Sequence, residues 1–352
     1  MTDPRTVALQ KLPHNKPSLG TLEKAAAARV LDSGWVATGP ETHAFERELC
    51  SFFGLDDGHA VVVSSGSAAL YLALQALVSP GANIGLPAYC CAALRNAVGM
   101  ANGTPTYLDC AVGSPNLDIA TARGQSLDAM MLPSMYGLPA GDPSALGFPV
   151  IEDIAQSFGA RIDGRPIGLR SAVGICSFYA TKMFTSGGQG GAVISTDTAL
   201  IDQIKDYRNF DNRGDTVMRF NFQMTDMQAA VGCVQLGRLA EFTERRHEIF
   251  ERYRAAGIPL LDSDLEAAQP VRYRAVARVS DPAAFISHLA ERAIGAINPL
   301  DERELLGPIG AQPNAHAMTQ ETVSLPVYPT LLDRDIDRVI DACDEFLSKE
   351  RG

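Results

Sequence analysis

Through the first two thirds of the chain, short apolar runs alternate with stretches of helical period. This alternation constrains the fold more than any other feature. Ala60–Val63 reads as a strand, and residues 67–77 read as a helix with Leu70, Leu74 and Leu77 on one face. A strand at 83–86 follows, then a helix over 88–101, and then strands at 105–108, 129–132, 149–151, 173–179 and 191–195, most of them near a Gly or Pro. Strands separated by helices pair side by side and are covered on both faces, so the expectation is an α/β fold on a largely parallel sheet.

A chain of 352 residues has room for two domains. The segment 225–256 reads as one long helix, with Met227, Ala230, Val231 and Val234 on one side and a charged run from 241 to 254. It is expected to lead from a large domain, residues 1–235, into a smaller C-terminal domain, residues 236–352. That second unit would hold a strand at 271–279, a helix at 282–292 and a terminal helix at 333–347. No internal repeat or low-complexity linker interrupts the chain.

With 30 Lys plus Arg against 41 Asp plus Glu, the net charge is −11, which argues against nucleic-acid binding. Residues 58–94 carry no Asp, Glu, Lys or Arg, but Ser64–Ser67, Gln75, Pro80, Asn83 and Pro87 break any apolar run of membrane-spanning length. Residues 1–12 lack the apolar core of a signal peptide. The seven cysteines are scattered without a C-x-x-C; Cys90 and Cys91 are adjacent. Neither a disulfide framework nor a metal site fits, and a reduced, cytoplasmic protein is expected.

Three short segments carry chemistry. Ser64-Ser65-Gly66-Ser67-Ala68 joins a strand to a helix. A helix start offers unpaired N–H groups to a phosphate, and Gly66 lets the backbone come close; the same turn also serves as an ordinary helix cap. Val150-Ile151-Glu152-Asp153-Ile154-Ala155-Gln156 runs an apolar strand into carboxylates. Asp153 would sit at the carboxyl end of its strand, where open α/β sheets bind ligands. A buried carboxylate there needs a cationic partner such as a pyridinium N–H; the alternative is a surface acidic pair. In the third segment Lys182 follows Cys176-Ser177-Phe178-Tyr179-Ala180-Thr181 and precedes Ser186-Gly187-Gly188-Gln189-Gly190-Gly191. Such a lysine is usually exposed, but at the floor of a site its amine can form a Schiff base with an aldehyde cofactor. No G-x-G-x-x-G, Walker A or H-E-x-x-H pattern is present.

Taken in this order, the segments resemble the DegT/StrS family of sugar aminotransferases, pyridoxal-phosphate (PLP) enzymes of fold type I. The resemblance spans nearly the whole chain. It includes Ser33-Gly34-Trp35, Thr38-Gly39-Pro40 and Phe45-Glu46, then Tyr136-Gly137 in the strand before the aspartate. It continues through Arg219-Phe220-Asn221-Phe222-Gln223-Met224-Thr225-Asp226-Met227-Gln228-Ala229-Ala230, Gln235-Leu236, and Leu325-Pro326-Val327-Tyr328-Pro329. Departures are Gln189 for an acidic residue, Gln223 for an arginine, the segment 208–212, and Cys91, with Tyr89 nearby, where many members have a ring-stacking aromatic.

The resemblance implies a seven-stranded-type, mostly parallel sheet in the large domain and a smaller α+β C-terminal domain. It implies that Lys182 forms the Schiff base and moves protons, that Asp153 pairs with the pyridinium, and that Gln156 contacts the phenolic oxygen. Gly66, Ser67, Ala68 and Ser177 would hold the phosphate, with Tyr89 or Cys91 against the ring. Asn221 would reach the phosphate in the neighbouring subunit of a homodimer with shared sites. The implied reaction moves an amino group from an amino acid, L-glutamate foremost, to a keto group on a nucleotide-linked sugar or cyclitol. A dehydratase of the same family, which would carry His in place of Lys182, a non-catalytic PLP-binding regulator, and a binding protein without PLP are the alternatives.

Overall fold

The computed structural model describes residues 10–308 and 310–351. Its centre is a seven-stranded sheet of β1 (Ala60–Val63), β2 (Asn83–Pro87), β3 (Thr104–Leu108), β4 (Ala129–Pro133), β5 (Val150–Asp153), β6 (Val173–Ser177) and β7 (Gly191–Ile194). The order across the sheet is β1-β7-β6-β5-β4-β2-β3. Six strands run one way, and β7 alone is antiparallel to both of its neighbours.

Alternate residues of the strands feed two cores. Val61, Val63, Ile175 and Val193 pack under the helix Gly66–Leu77, with its Ala69, Leu70 and Leu74. Ala60, Val62, Cys176 and Ile194 face a cluster rich in aromatics, with Phe45, Phe158, Phe178 and Phe184. With both faces covered, strands such as Ala129–Pro133 and Gly191–Ile194 are apolar at nearly every position.

β8 (Ala275–Arg278) and β9 (Thr322–Leu325) form a separate antiparallel pair, with Val276 packed among Ala88, Tyr89 and Tyr136 just past the carboxyl ends of β2 and β4. Its core draws Ile249 and Tyr253 from the helix Leu239–Ala255, Phe285 and Leu289 from Pro282–Glu291, and Ile336 and Val339 from Asp333–Arg351. Leu12 joins this same core, tied by hydrogen bonds of 2.8 Å to the carbonyl of Ala293 and from the N–H of Gly295. No helix among the described residues is long and apolar enough to cross a membrane.

The structure differs from the sequence reading at several joints. The long helix expected over 225–256 is two helices, Asp226–Gly237 and Leu239–Ala255, parted at Arg238, whose ψ of 2° ends the first. The helix expected from residue 88 starts at Ala92, because residues 88–91 form the turn out of β2 and Cys91 is its N-cap in extended conformation. β6 ends at Ser177 and not at residue 179, and the expected strand 271–279 is reduced to Ala275–Arg278. Tyr136 and Gly137 are not in a strand. They form a 3-10 turn after β4, with Tyr136 at φ +62° and Gly137 at φ +90°.

Candidate active site

The parallel strands end at one edge, and that edge gathers the chemistry-bearing residues. Asp153 is the last residue of β5 and only 6 % exposed. Its Oδ1 accepts the Ala155 N–H at 2.9 Å. Burial raises its carboxyl above the usual range, against the lowering effects of that hydrogen bond and of Lys182.

Lys182 lies just beyond β6. The loop that carries it closes on itself: Phe178 N–H donates to the Gly190 carbonyl at 2.8 Å, Ala180 N–H to Gly188 at 3.0 Å, and Lys182 N–H to Tyr179 at 2.9 Å. A side chain at Gly190 would overlap the Ser186 hydroxyl, which donates to the Gln189 carbonyl, so a larger residue there would have to displace that bond. The Lys182 Nζ stands 5.6 Å from the centre of the buried Tyr273 ring, and lysine and arginine charges overcome burial to lower the Tyr273 phenol.

The Ser65–Ala68 turn sits directly on the ends of β6 and β7. Ser65 caps the helix by accepting the Ala68 N–H at 3.1 Å. A Cβ on Gly66 would come within 2.8 Å of the Ser177 Cβ, and one on Gly191 within 2.7 Å of the Gly66 nitrogen. Ser67 is exposed on the first helical turn and Ala68 is buried beneath it.

The remaining candidates divide. Gln156 Oε1 accepts the Tyr136 N–H at 2.9 Å, which fixes its amide beside the left-handed turn. Tyr89 is fully buried, and its hydroxyl meets that of Tyr136 at 2.6 Å. Cys91 is exposed; packing around its thiol and the nearby Asp153 charge raise it, while Lys182 lowers it. Of the two, Cys91 is thus the exposed side chain and Tyr89 the buried one. Asn221 is exposed, with Oδ1 accepting the Gln223 N–H at 3.0 Å, one residue from Phe222, whose carbonyl accepts the Ser64 N–H at 2.8 Å.

Other conspicuous motif residues are structural clamps. Asp226 is buried and accepts the N–H groups of Gly39, Glu41 and Thr42, capping the helix Pro40–Phe53. Gln235 donates to Glu23 at 2.7 Å and to the Ser18 carbonyl at 2.8 Å. Tyr273 escaped the sequence reading because 271–279 looks like an ordinary strand; its signal was the pair of arginines flanking a tyrosine.

A buried strand-end carboxylate, a lysine just beyond the neighbouring strand, and a glycine-bearing helix start at the same edge define a transaminase of the PLP-dependent class. Residues 17–344 match the model of the DegT/DnrJ/EryC1/StrS aminotransferase family, and the chain belongs to that family. In an alignment 351 positions long that covers 92 % of each chain, it is 33 % identical to the dTDP-3-amino-3,4,6-trideoxy-alpha-D-glucose transaminase of Streptomyces venezuelae. Among solved structures it is similar to the aminotransferase TlmJ from Streptoalloteichus hindustanus. The TM-score is 0.89 at 27 % identity, over 97 % of this chain and 100 % of that one. It is also similar to DesV from S. venezuelae, with a TM-score of 0.85 at 31 % identity over 92 % and 94 %.

Proposed function

We propose that this transaminase takes an amino group from L-glutamate and delivers it to a keto group on a nucleoside-diphosphate-linked hexose, with Lys182 and Asp153 as its catalytic pair. The observation that carries the reading is the placement of Asp153 at the end of β5 and of Lys182 just beyond the neighbouring strand β6, and the sugar transaminase relative supports the acceptor class.

The residues fit PLP. Among the described residues, the only hydrogen bond to the Asp153 carboxylate comes from one backbone N–H, which leaves acceptor capacity for a pyridinium N–H. The helix start at Gly66 and Ser67 offers N–H groups and the positive end of the helix dipole to a phosphate, with the hydroxyls of Ser67 and Ser177 as further donors. Bound there, PLP supplies an electron sink that lets a C–H bond beside an amino group break. Asp153 holds the pyridinium charge in place, and its own ionised form is restored by that partner. Gln156, whose Oε1 is held by Tyr136, would offer its amide N–H to the phenolic oxygen. Lys182 would hold the cofactor through Nζ, and its free amine would carry the proton at the reacting carbon. Cys91 would provide the side wall against the ring.

Exposed apolar residues on the first helix and after it, among them Leu22, Leu31 and Trp35, and on the 210–222 segment, among them Met218 and Phe220, support a homodimer in which Asn221 serves the neighbouring site. We place the protein in the cytoplasm and the domain boundary between residues 235 and 236. The test is spectroscopic: glutamate should bleach the visible band of the loaded protein, and a keto-sugar nucleotide should restore it. A band indifferent to every amino acid would favour the non-catalytic reading.

A further inference from the structure

Arg274 lies beside the same ring as Lys182. Its guanidinium carbon is 5.5 Å from the Tyr273 ring centre, and Lys182 Nζ is 5.6 Å from it. Two left-handed residues hold this strand end in place. Tyr136, at φ +62°, accepts the Arg274 N–H on its carbonyl at 3.2 Å, and Arg272 has φ +53°. A Cβ on Gly137 would lie 2.7 Å from the Tyr273 nitrogen, so the turn and the strand end are in direct backbone contact.

The neighbouring arginines are occupied. Arg246 is buried and donates to the carbonyls of Tyr273 and Val327, and Arg272 pairs with Asp262. Arg274 has only weak neutral partners, the Ser324 hydroxyl at 3.2 Å and the His14 ring at 3.4 Å. Among the described residues no carboxylate pairs with it, whereas Arg272 has Asp262. His14 does not share the charge, since burial first and Arg274 second lower it to about 3 and keep it neutral. A half-buried guanidinium without a counter-ion, beside the catalytic lysine, costs stability unless an anion completes it.

Resting on the transaminase reading above, we infer that Arg274 binds a carboxylate of the amino donor and so determines donor specificity. A guanidinium fork matches one planar carboxylate in two parallel hydrogen bonds. A nucleoside diphosphate spreads two or more charges over tetrahedral groups and calls for several free cations, whereas here Arg246 and Arg272 are held by protein acceptors and Lys182 is the cofactor lysine, which leaves one free fork.

The test uses PLP-loaded wild type, Arg274→Gln and Arg274→Met, whose stem keeps the packing on Tyr273. Calorimetry would measure binding of glutarate, an unreactive dicarboxylate, and of thymidine diphosphate. Stopped-flow absorbance would follow the glutamate half-reaction and the return half-reaction with a keto-sugar nucleotide. Glutarate affinity should fall, and half-saturating glutamate rise, by about ten- to a hundredfold in both variants. The limiting bleaching rate, thymidine diphosphate affinity and return half-reaction should stay within about threefold, and Arg274→Lys should recover part of the loss. Unchanged glutarate binding in either folded variant would overturn the assignment, as would a loss confined to thymidine diphosphate and the return half-reaction. If wild type itself ignores glutamate, the transaminase reading fails instead, and the glutarate titration still reports on Arg274.

Discussion

Asp153 is a carboxylate placed where burial works against its charge. Its pKa in the folded chain lies above the unfolded value, so the native state holds the proton more tightly. Its contribution is therefore most favourable below the ordinary carboxylate range, and it is lost as pH rises through the folded value. Without PLP, Asp153→Asn should raise the urea midpoint at pH 7, and the gain should fade once the pH falls below about 4, where aspartate is neutral in both states. With PLP the same substitution should cut turnover about a hundredfold or more, since breaking a buried ion pair on one side costs ~3 kcal/mol or more. An apoprotein midpoint that does not move, or near-normal turnover, removes the carboxylate from the site. For Lys182 the check is covalent. Borohydride should abolish the visible band and leave the reduced adduct on the peptide containing Lys182; recovery on another lysine refutes the assignment. These two residues were legible because a carboxylate at a strand end and a lysine before glycines each stand out locally. Tyr273 and Arg274 were not, because their place depends on a turn more than a hundred residues earlier in the chain pressing against them.

Among the elements, the joint between the Ser65–Ala68 turn and β7 admits no extra atom. Gly191→Ala sets a methyl against the Ser65 carbonyl and the Gly66 nitrogen, both backbone atoms that cannot rotate away. The turn must shift. PLP affinity should weaken about tenfold, and stability should fall by about 1–3 kcal/mol, the usual range for overpacking. A cofactor titration and a melting curve read the two effects separately, and a variant that binds PLP normally shows that the turn does not touch the phosphate. The β1–turn–helix unit could be read from sequence because strand burial, capping serine and helical period agree over residues 60–77. The direction of β7 was missed because Gly-Ala-Val-Ile looks the same buried either way. The physical signal was the connection: no helix intervenes between Ser177 and Gly191, and a parallel neighbour would need a crossover. The break at Arg238 was hidden by apolar spacing that continues on both sides of it.

At the scale of the whole molecule, the proposed dimer makes a quantitative claim. Asn221→Asp would set a negative charge against the neighbouring cofactor phosphate, and Lys182→Ala removes the amine within a site. In a mixed dimer one site carries both lesions and the other neither. Subunit exchange between the two inactive variants should therefore restore about one site in four. Exchange confirmed by differently tagged chains without any return of activity would show that Asn221 does not serve its neighbour.

Leu12 lies in the core built around β8 and β9 and pairs with the backbone at Ala293 and Gly295. During synthesis, at ~5–20 residues per second, residue 12 leaves the ribosome roughly 15–60 s before its partners exist. Throughout that interval the large sheet can assemble while the N-terminal strap has nowhere to dock. Closing the fold is thus left to the last part of the chain to be made, and a nascent protein stalled before residue 293 would display an unburied leucine at its start for a chaperone to hold.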